Sequence, residues 1–338
     1  MPLPTGPVIG IMLDNLRKRD SVFPISRRKA VKWAKDLAIP VGGETVLYTG
    51  SMYQLLPYMI AAVNRMGKLE NTFLAKMVGM GRFFNRMINV SNIMFRPRGS
   101  DHKRFGSIIR DIARLLQQAG VKFGYLYKEE LYAGALAYDL GADDTFIAHA
   151  RRVHSLLKKH GVRSLITIDP HTTNMLRSVY PTVLPDFDLE VKSYIEVLAA
   201  RENLRPRNKV EGPIVIHDSC VYARYEEVIE EPRRLLERAG YTVVEPRDNR
   251  KLTHCCGGPI ESLFPSMAHQ IGVKRVEQFK KVNGNRVATM CPICMATLQQ
   301  ATGGALEIND ISSYLARAFC EPGGNGKPAS AKDNRSGL

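Results

Sequence analysis

The chain has 338 residues, of which 44% are hydrophobic and 24% are charged. This composition is typical of a globular protein with room for two α/β domains, and it excludes fibrous, collagen-like and wholly disordered chains. The net charge of +15 favours anionic partners. The basic residues are spread along the chain without zinc-finger spacing or an RNP aromatic motif, so no nucleic-acid partner is expected.

No run approaches about 18 uninterrupted apolar residues, and the first residues lack the pattern of a secretory signal. We therefore expect a cytoplasmic protein, either soluble or peripheral on the cytoplasmic face of the membrane. Six cysteines are too few for a disulfide scaffold. In this compartment, clustered cysteines indicate a metal or redox site.

Residues 1–40 form a basic N-terminal extension with weak hydrophobic patterning. An α/β unit follows over 41–190, with an insertion near 62–106 that is rich in lysine and arginine. Five apolar side chains in the insertion recur every three to four residues: Phe73, Met77, Met80, Phe84 and Met87. This spacing predicts a basic amphipathic helix that packs on its own domain or contacts a partner subunit or an anionic membrane surface.

A second α/β unit is predicted over 205–320. Strands at 213–217, 241–244 and 286–290 alternate with helical patterns, as βαβ units require. Residues 321–338 lack apolar periodicity and are predicted to be disordered.

The two units read as copies of one another. Ala119-Gly120-Val121 and Ala239-Gly240-Tyr241 are offset by 120 residues, and the segments 169–172 and 291–294 are offset by 122. The sequence therefore predicts an α/β fold of two duplicated Rossmann-like units.

Five of the six cysteines are clustered within the second unit: Cys220, Cys255, Cys256, Cys291 and Cys294. Because Cys220 and Cys291 each follow a predicted strand and precede a helix, we expect the ligands at the carboxyl ends of the strands. Five thiols with one adjacent pair fit iron and sulfide better than zinc, which takes four ligands. A four-cysteine zinc site with a spare thiol, and a set of buried free thiols, are the alternatives. Cys320 is interpreted as a bystander.

The cysteine pattern, introduced by Ile-His-Asp-Ser-Cys and containing Cys-Cys-Gly and Cys-Pro-x-Cys, resembles the CCG domain of the heterodisulfide reductase B subunit. Related domains occur in iron–sulfur subunits of glycerol-3-phosphate, lactate and succinate dehydrogenases. The resemblance implies that all five cysteines bind one non-cubane [4Fe-4S] cluster.

The first unit departs from this family pattern. The B subunit has two complete cysteine motifs, whereas the first unit has other residues at the five positions: Ser51, Tyr132, Ala133, Asp169 and Thr172. We therefore expect one cluster per chain. The chain also lacks ferredoxin-type cysteine repeats, so the resemblance implies a separate ferredoxin-type iron–sulfur subunit, similar to the heterodisulfide reductase C subunit, and a flavoprotein subunit as partners.

Four further residues are weak candidates for a catalytic role. His217 and His254 flank ligand cysteines and could donate a hydrogen bond or relay a proton. Asp169 and His171 of the first unit could act as acid and base if the two units face each other.

These observations predict an iron–sulfur electron-transfer subunit of a heterodisulfide reductase-like complex, acting in thiol, disulfide or sulfur-compound redox chemistry. One alternative is a peripheral membrane subunit that passes electrons to quinone, with residues 62–106 on the membrane. Another is a non-catalytic redox-sensing or zinc-binding scaffold.

Overall fold

Seven parallel strands form two sheets in the described part of the chain, one sheet in each unit. The structure, a computed structural model, describes residues 5–23, 25–69, 97–261 and 263–321. The predicted amphipathic stretch 73–87 and the tail 322–338 lie outside the described residues. The strands are β1 (Thr45–Tyr48), β2 (Ser164–Thr167), β3 (Glu190–Ser193), β4 (Pro213–His217), β5 (Thr242–Val244), β6 (Arg286–Thr289) and β7 (Glu307–Asp310).

Thirteen α-helices lie within the described residues. They are α1 (Thr5–Arg19), α2 (Arg27–Ala30), α3 (Met52–Leu69), α4 (Gly99–Gln118), α5 (Ala135–Asp139), α6 (Asp143–Lys159), α7 (Pro170–Asn174), α8 (Tyr180–Val183), α9 (Tyr194–Ala199), α10 (Glu230–Ala239), α11 (Pro265–Lys280), α12 (Pro292–Thr302) and α13 (Ile311–Phe319). Short π-helical segments cover Met175–Val179 and Tyr222–Glu226. Single 3₁₀ turns cover Lys32–Ala34, Tyr127–Glu129, Arg250–Leu252 and Gly258–Ile260.

The two sheets have the same strand order, which supports the predicted duplication. In the second unit the order is β5-β4-β6-β7. In the first it is β1-β2-β3, and the segment around Gly124 pairs with the free side of β1 where the second unit has β5. The predicted fold class, two α/β units with parallel sheets, is confirmed.

Local sequence accounts for these elements. β4 (Pro-Ile-Val-Ile-His) is buried beyond its first residue, as is usual for a parallel strand covered on both faces. α10 ends at Gly240, whose φ of 109° is a conformation that glycine adopts readily. α12 begins with Pro292, whose fixed φ suits the first helical position.

A continuous core joins the two units. The largest buried cluster contains Ile166 and Ile168 of the first unit together with Ile216 and Met290 of the second. α4 packs against α13 across the junction. The carboxyl ends of the two sheets are therefore held in a defined relation to each other.

Part of the predicted N-terminal extension 1–40 packs into the first unit. α1 buries Val8, Met12 and Leu16 in the core of that unit. Within the described residues, none of the helices combines the length and hydropathy needed to cross a lipid bilayer.

Candidate metal centre

The five cysteines reach one place from three loops at the carboxyl end of the second sheet. Cys220 lies three residues after β4, and Cys291 follows β6 and precedes α12, whose first turn contains Cys294. Cys255 and Cys256 lie on the loop between the 3₁₀ turns Arg250–Leu252 and Gly258–Ile260.

Side-chain hydrogen bonds connect the five thiols in a continuous chain. Cys220 contacts Cys255, Cys255 contacts Cys256, Cys256 contacts Cys294, and Cys294 contacts Cys291. Three of these cysteines are buried, whereas Cys220 and Cys255 are partly exposed. The site is therefore closed on the Cys291 side and open on the Cys220 and Cys255 side.

Backbone amides of the Cys-Cys-Gly-Gly loop donate to two of the sulfurs. The amide of Gly257 lies 3.3 Å from Sγ of Cys255, and that of Gly258 lies 3.4 Å from Sγ of Cys256. Gly257 has a φ of +88°, and a β-carbon there would lie 2.4 Å from the carbonyl oxygen of Ala268. Only glycine fits this close turn, which is why the motif requires it.

The thiols share protons unevenly. The hydrogen bond from Cys220 lowers the pKa of Cys255 far below its usual value and raises the pKa of Cys220 in return. Burial raises the pKa of Cys291, but hydrogen bonds from Cys294 and His171 outweigh it and bring that pKa well below normal. The surroundings thus favour thiolate, the form that binds metal, at two of the five positions.

A buried ion-pair network supports the loops that carry the thiols. Asp218, directly after β4, forms a bidentate pair with Arg233 at 2.8 and 2.9 Å. The same carboxylate accepts from the amide of Arg250 at 2.7 Å, and the Asp218 carbonyl accepts from the hydroxyl of Thr253 at 2.9 Å. Asp218 therefore joins the loop of Cys220 to the loop of Cys255.

His217 borders the thiols on the sheet side. One of its ring nitrogens and the sulfurs of Cys256 and Cys294 lie within 4.8 Å of one another. Burial lowers the pKa of His217 well below its usual value, and the positive charge of Arg275 adds to this effect. His217 is thus a neutral ring beside the sulfurs.

His171 is the candidate from the first unit that reaches the site. Its side chain hydrogen-bonds to Cys291, and its Nδ1 lies 3.8 Å from a carboxylate oxygen of Asp139. Burial lowers the pKa of His171, but Cys291, Asp139 and Asp169 together raise it to about 9. The two units do face each other at this point.

The other two candidates have local hydrogen-bonding roles. Asp169 caps α7 by accepting from the amide of Thr172 at 2.9 Å and is fully buried. His254 is partly buried, and its Nδ1 lies 2.9 Å from the carbonyl oxygen of Cys255. Cys320, at the end of α13, is buried within the core shared by the two units.

In the first unit, the positions that match the cysteines are occupied by packed side chains. The ring of Tyr132 is 2% exposed, and its hydroxyl accepts from the amide of Leu136 at 2.8 Å. The hydroxyl of Thr172 lies 2.1 Å from where a β-carbon on Gly50 would be, so it fills the space beside that glycine. This unit offers no set of soft ligands among these residues.

Thiolates are the standard ligands of iron–sulfur clusters. This site offers five thiols in a chain of contacts, two of them favoured as thiolates. The residues present therefore fit such a cluster. Sequence reasoning did not find three residues around them: Asp218, Arg233 and Arg275. One signal was available for Arg275, because it lies on the buried stripe of α11 with Ala268, Gly272, Val276 and Phe279.

Comparison with known proteins agrees with this geometry. Residues 214–299, which include all five cysteines, match the CCG family, described as a cysteine-rich domain. The chain therefore carries a CCG domain. The predicted resemblance to heterodisulfide reductase subunits of this type is confirmed.

Curated relatives extend the similarity beyond the CCG domain. The chain is 32% identical over 222 residues to "Probable iron-sulfur-binding oxidoreductase FadF" of Bacillus subtilis, covering 64% of this chain and 31% of that protein. It is 26% identical over 317 residues to "EtfAB:quinone oxidoreductase" of Syntrophomonas wolfei, covering 87% of this chain and 43% of that protein.

A third relative is one of the subunits of the dihydromethanophenazine:CoB–CoM heterodisulfide reductase of Methanosarcina mazei. The identity is 23% over 220 residues, covering 61% of this chain and 54% of that relative. The chain thus spans about a third to a half of the length of these relatives. Their names describe oxidoreductases or a subunit of one, and the name of the first also includes iron–sulfur binding. In this chain, the five clustered cysteines lie in the part that matches the CCG family.

Proposed function

We propose that this chain is an iron–sulfur electron-transfer subunit or module of a larger oxidoreductase of the heterodisulfide reductase type. The observation that carries the proposal is the convergence of Cys220, Cys255, Cys256, Cys291 and Cys294 in one chain of sulfur contacts. These five residues would hold one [4Fe-4S] cluster of the non-cubane type. When bound, such a cluster takes up and releases one electron at a time.

Different residues of the chain would have different roles around that cluster. Buried Cys256, Cys291 and Cys294 keep water from one side, and the amides of Gly257 and Gly258 stabilise negative charge on sulfur. The partly exposed side at Cys220 and Cys255 is where a thiol, disulfide or other sulfur compound would approach. A ferredoxin-type iron–sulfur subunit or a flavoprotein subunit would exchange electrons with the cluster.

Metal analysis of chain purified without air tests the proposal. We expect about four irons and four acid-labile sulfides per chain, and an EPR spectrum that changes when thiols are added. Zinc without sulfide would overturn the proposal. Replacing each cysteine by alanine tests the ligand set, with Cys320→Ala as the matched control. An unchanged cluster in Cys255→Ala or Cys256→Ala would contradict ligation by five thiolates.

A second candidate, electron delivery to quinone at a membrane surface, is favoured by the relative from Syntrophomonas wolfei, whose name includes quinone and whose similarity covers 87% of this chain. If it holds, the chain should sediment with anionic liposomes at low salt and dissociate at high salt. Its reduced cluster should also be oxidised by a soluble quinone analogue. Oxidation by a disulfide but not by the analogue would favour the first candidate.

A further inference from the structure

Arg275 is a buried cation beside the cysteine site. The residue is 0% exposed. Its guanidinium donates to the carbonyl of Asp248 at 2.7 Å, to the side chain of Gln278 at 2.5 Å and to Nδ1 of His217 at 3.2 Å. It also stacks over the ring of Phe279, 4.7 Å from the centroid. Among the described residues, no carboxylate lies within ion-pair distance of it.

Burying a cation without a directly paired anion is strongly unfavourable. The carboxylates of Asp218 and Asp248 act on Arg275 only at longer range, as do the thiols of Cys294 and Cys256. An anionic group at the cysteine site would supply the missing negative charge. The position of Arg275 therefore suits a cysteine site whose bound group carries negative charge.

The hydrogen bond from Arg275 also determines where the proton of His217 lies. A guanidinium has donors only, so Nδ1 of His217 must accept, and the neutral ring must carry its proton on Nε2. Nε2 is completely buried and has no hydrogen-bond partner in the structure. With Nδ1 occupied, Nε2 is the ring nitrogen left to interact with sulfur near Cys256 and Cys294.

We propose that Arg275 holds His217 with its proton on Nε2, so that His217 donates a hydrogen bond to the sulfur ligands around Cys256 and Cys294 and raises the reduction potential of the cluster. This inference rests on the proposed function, because it requires the cluster. His217 is then a hydrogen-bond donor and Arg275 a positioning residue. Binding of iron by Nε2 would move the proton to Nδ1, where it would face the guanidinium donor, so His217 is not itself a ligand.

Reductive titration followed by EPR, with iron and sulfide analysis, tests the inference on the full chain purified without air. The variants are His217→Phe, which keeps a flat ring but has no donor, and Arg275→Met, which leaves His217 in place. The matched controls are His269→Phe and Lys274→Met, which change exposed residues of the same helix as Arg275. His217→Gln tests rescue, because its amide retains a donor.

We expect His217→Phe to keep its iron and to show about a tenfold lower ratio of reduced to oxidised cluster at the wild-type midpoint. That change equals about 59 mV for a one-electron couple. Arg275→Met should shift in the same direction, His217→Gln should shift less than His217→Phe, and the two controls should match wild type.

Two results would overturn the inference. One is a His217→Phe midpoint equal to that of His269→Phe. The other is loss of iron from a His217→Phe chain with unchanged circular dichroism and melting temperature, which would make His217 a ligand. If His217→Phe does not fold, Arg275→Met decides, since a midpoint equal to that of Lys274→Met rejects the inference. Absence of iron and sulfide from the wild-type chain would instead reject the proposed function itself.

Discussion

The two units share one strand order, yet they use the carboxyl ends of their strands differently. In the second unit, the residues after β4 and β6 include Cys220 and Cys291, whose thiols turn toward a common site. In the first unit, Ser51 and Asp169 occupy the positions of Cys220 and Cys291. Tyr132, at the position of Cys255, is buried. A duplicated scaffold can therefore keep its backbone while one copy exchanges a ligand set for ordinary packing.

The residue directly after the first strand shows the same contrast. Asp218 of the second unit is ion-paired with Arg233 and accepts the hydroxyl of Thr253 through its carbonyl. Thr49 of the first unit instead bonds to Glu130 through both its amide and its hydroxyl. In each unit this residue is bonded to the residue two positions before Cys255 or before its equivalent, Tyr132: Asp218 to Thr253, and Thr49 to Glu130. This bond joins a hydroxyl to a backbone carbonyl in the second unit and a hydroxyl to a carboxyl in the first. In the second unit, Asp218 also forms the ion pair with Arg233.

The largest expected difference between the units is in iron content. Cys291→Ala should lose the cluster, because it removes a buried thiol that contacts both Cys294 and His171. Asp169→Ala, at the matching position, should keep the wild-type iron and sulfide content. Iron and sulfide assays on both variants check this. Retention of the full iron content by Cys291→Ala would remove this residue from the ligand set.

Removing the ion pair between Asp218 and Arg233 in the second unit should have the next largest effect. Arg233 and Asp218 are 4% and 1% exposed, so Arg233→Met would leave a buried carboxylate without its partner. The expected loss is about 3–5 kcal/mol in the free energy of unfolding. Urea denaturation under nitrogen measures it.

The neighbouring arginine is the control for that experiment. Arg234 is exposed and pairs with Glu231 one helical turn away, so Arg234→Met should change stability by less than about 0.5 kcal/mol. Equal losses in the two variants would mean that the Asp218 network contributes nothing particular to the cysteine loops.

The elements that carry these residues were predictable from the sequence in part. The strand 213–217 was predicted with the bounds that the structure has, and the strands 241–244 and 286–290 were predicted to within one residue at one end, because apolar runs and Gly or Pro limits define them. The last strand of each unit, β3 in the first and β7 in the second, was missed. Each is only four residues long and alternates exposed and buried positions, so it lacks a continuous apolar run.

The site was predictable as a set of cysteines but not as a network. Thiol spacing identifies Cys220 and Cys291 because few structural roles need cysteine at strand ends. Asp218 and Arg233 are 15 residues apart and resemble any other charged pair in a basic sequence. Their burial depends on how α10 packs on the sheet, which is a property of the tertiary structure.

In the first unit, the contribution of Glu130, which is hydrogen-bonded to Thr49, to folding stability should depend on pH. Burial raises the pKa of Glu130 from 4.5 to about 8, despite the hydrogen bonds from Thr49 that lower it. A carboxyl with a raised folded-state pKa binds its proton more tightly when folded. Its contribution to stability is therefore fully present below about pH 4.5 and is lost as the pH rises toward about 8.

Glu130→Gln should remove that dependence. Relative to wild type, the variant should gain stability with rising pH by up to about 1.4 kcal/mol per pH unit within this window. Urea denaturation at a series of pH values measures the slope. Glu129→Gln, an exposed neighbour, is the control and should retain the wild-type slope. A Glu130→Gln slope equal to wild type would show that Glu130 ionises normally in the folded chain.

The smallest expected effect tests whether the first unit still contributes to the centre of the second. His171 reaches Cys291 across the junction and is backed by Asp139. His171→Phe should retain iron but lower the reduced fraction at the wild-type midpoint by a few-fold, because a donor that stabilises the reduced cluster is lost. His171→Gln should restore part of the loss, whereas His160→Phe, whose ring contacts Glu129 instead, should not shift the midpoint. An unchanged cluster midpoint in His171→Phe would mean that the first unit only packs against the second. A shift would mean that the copy without thiols is retained because it completes the surroundings of the copy that has them.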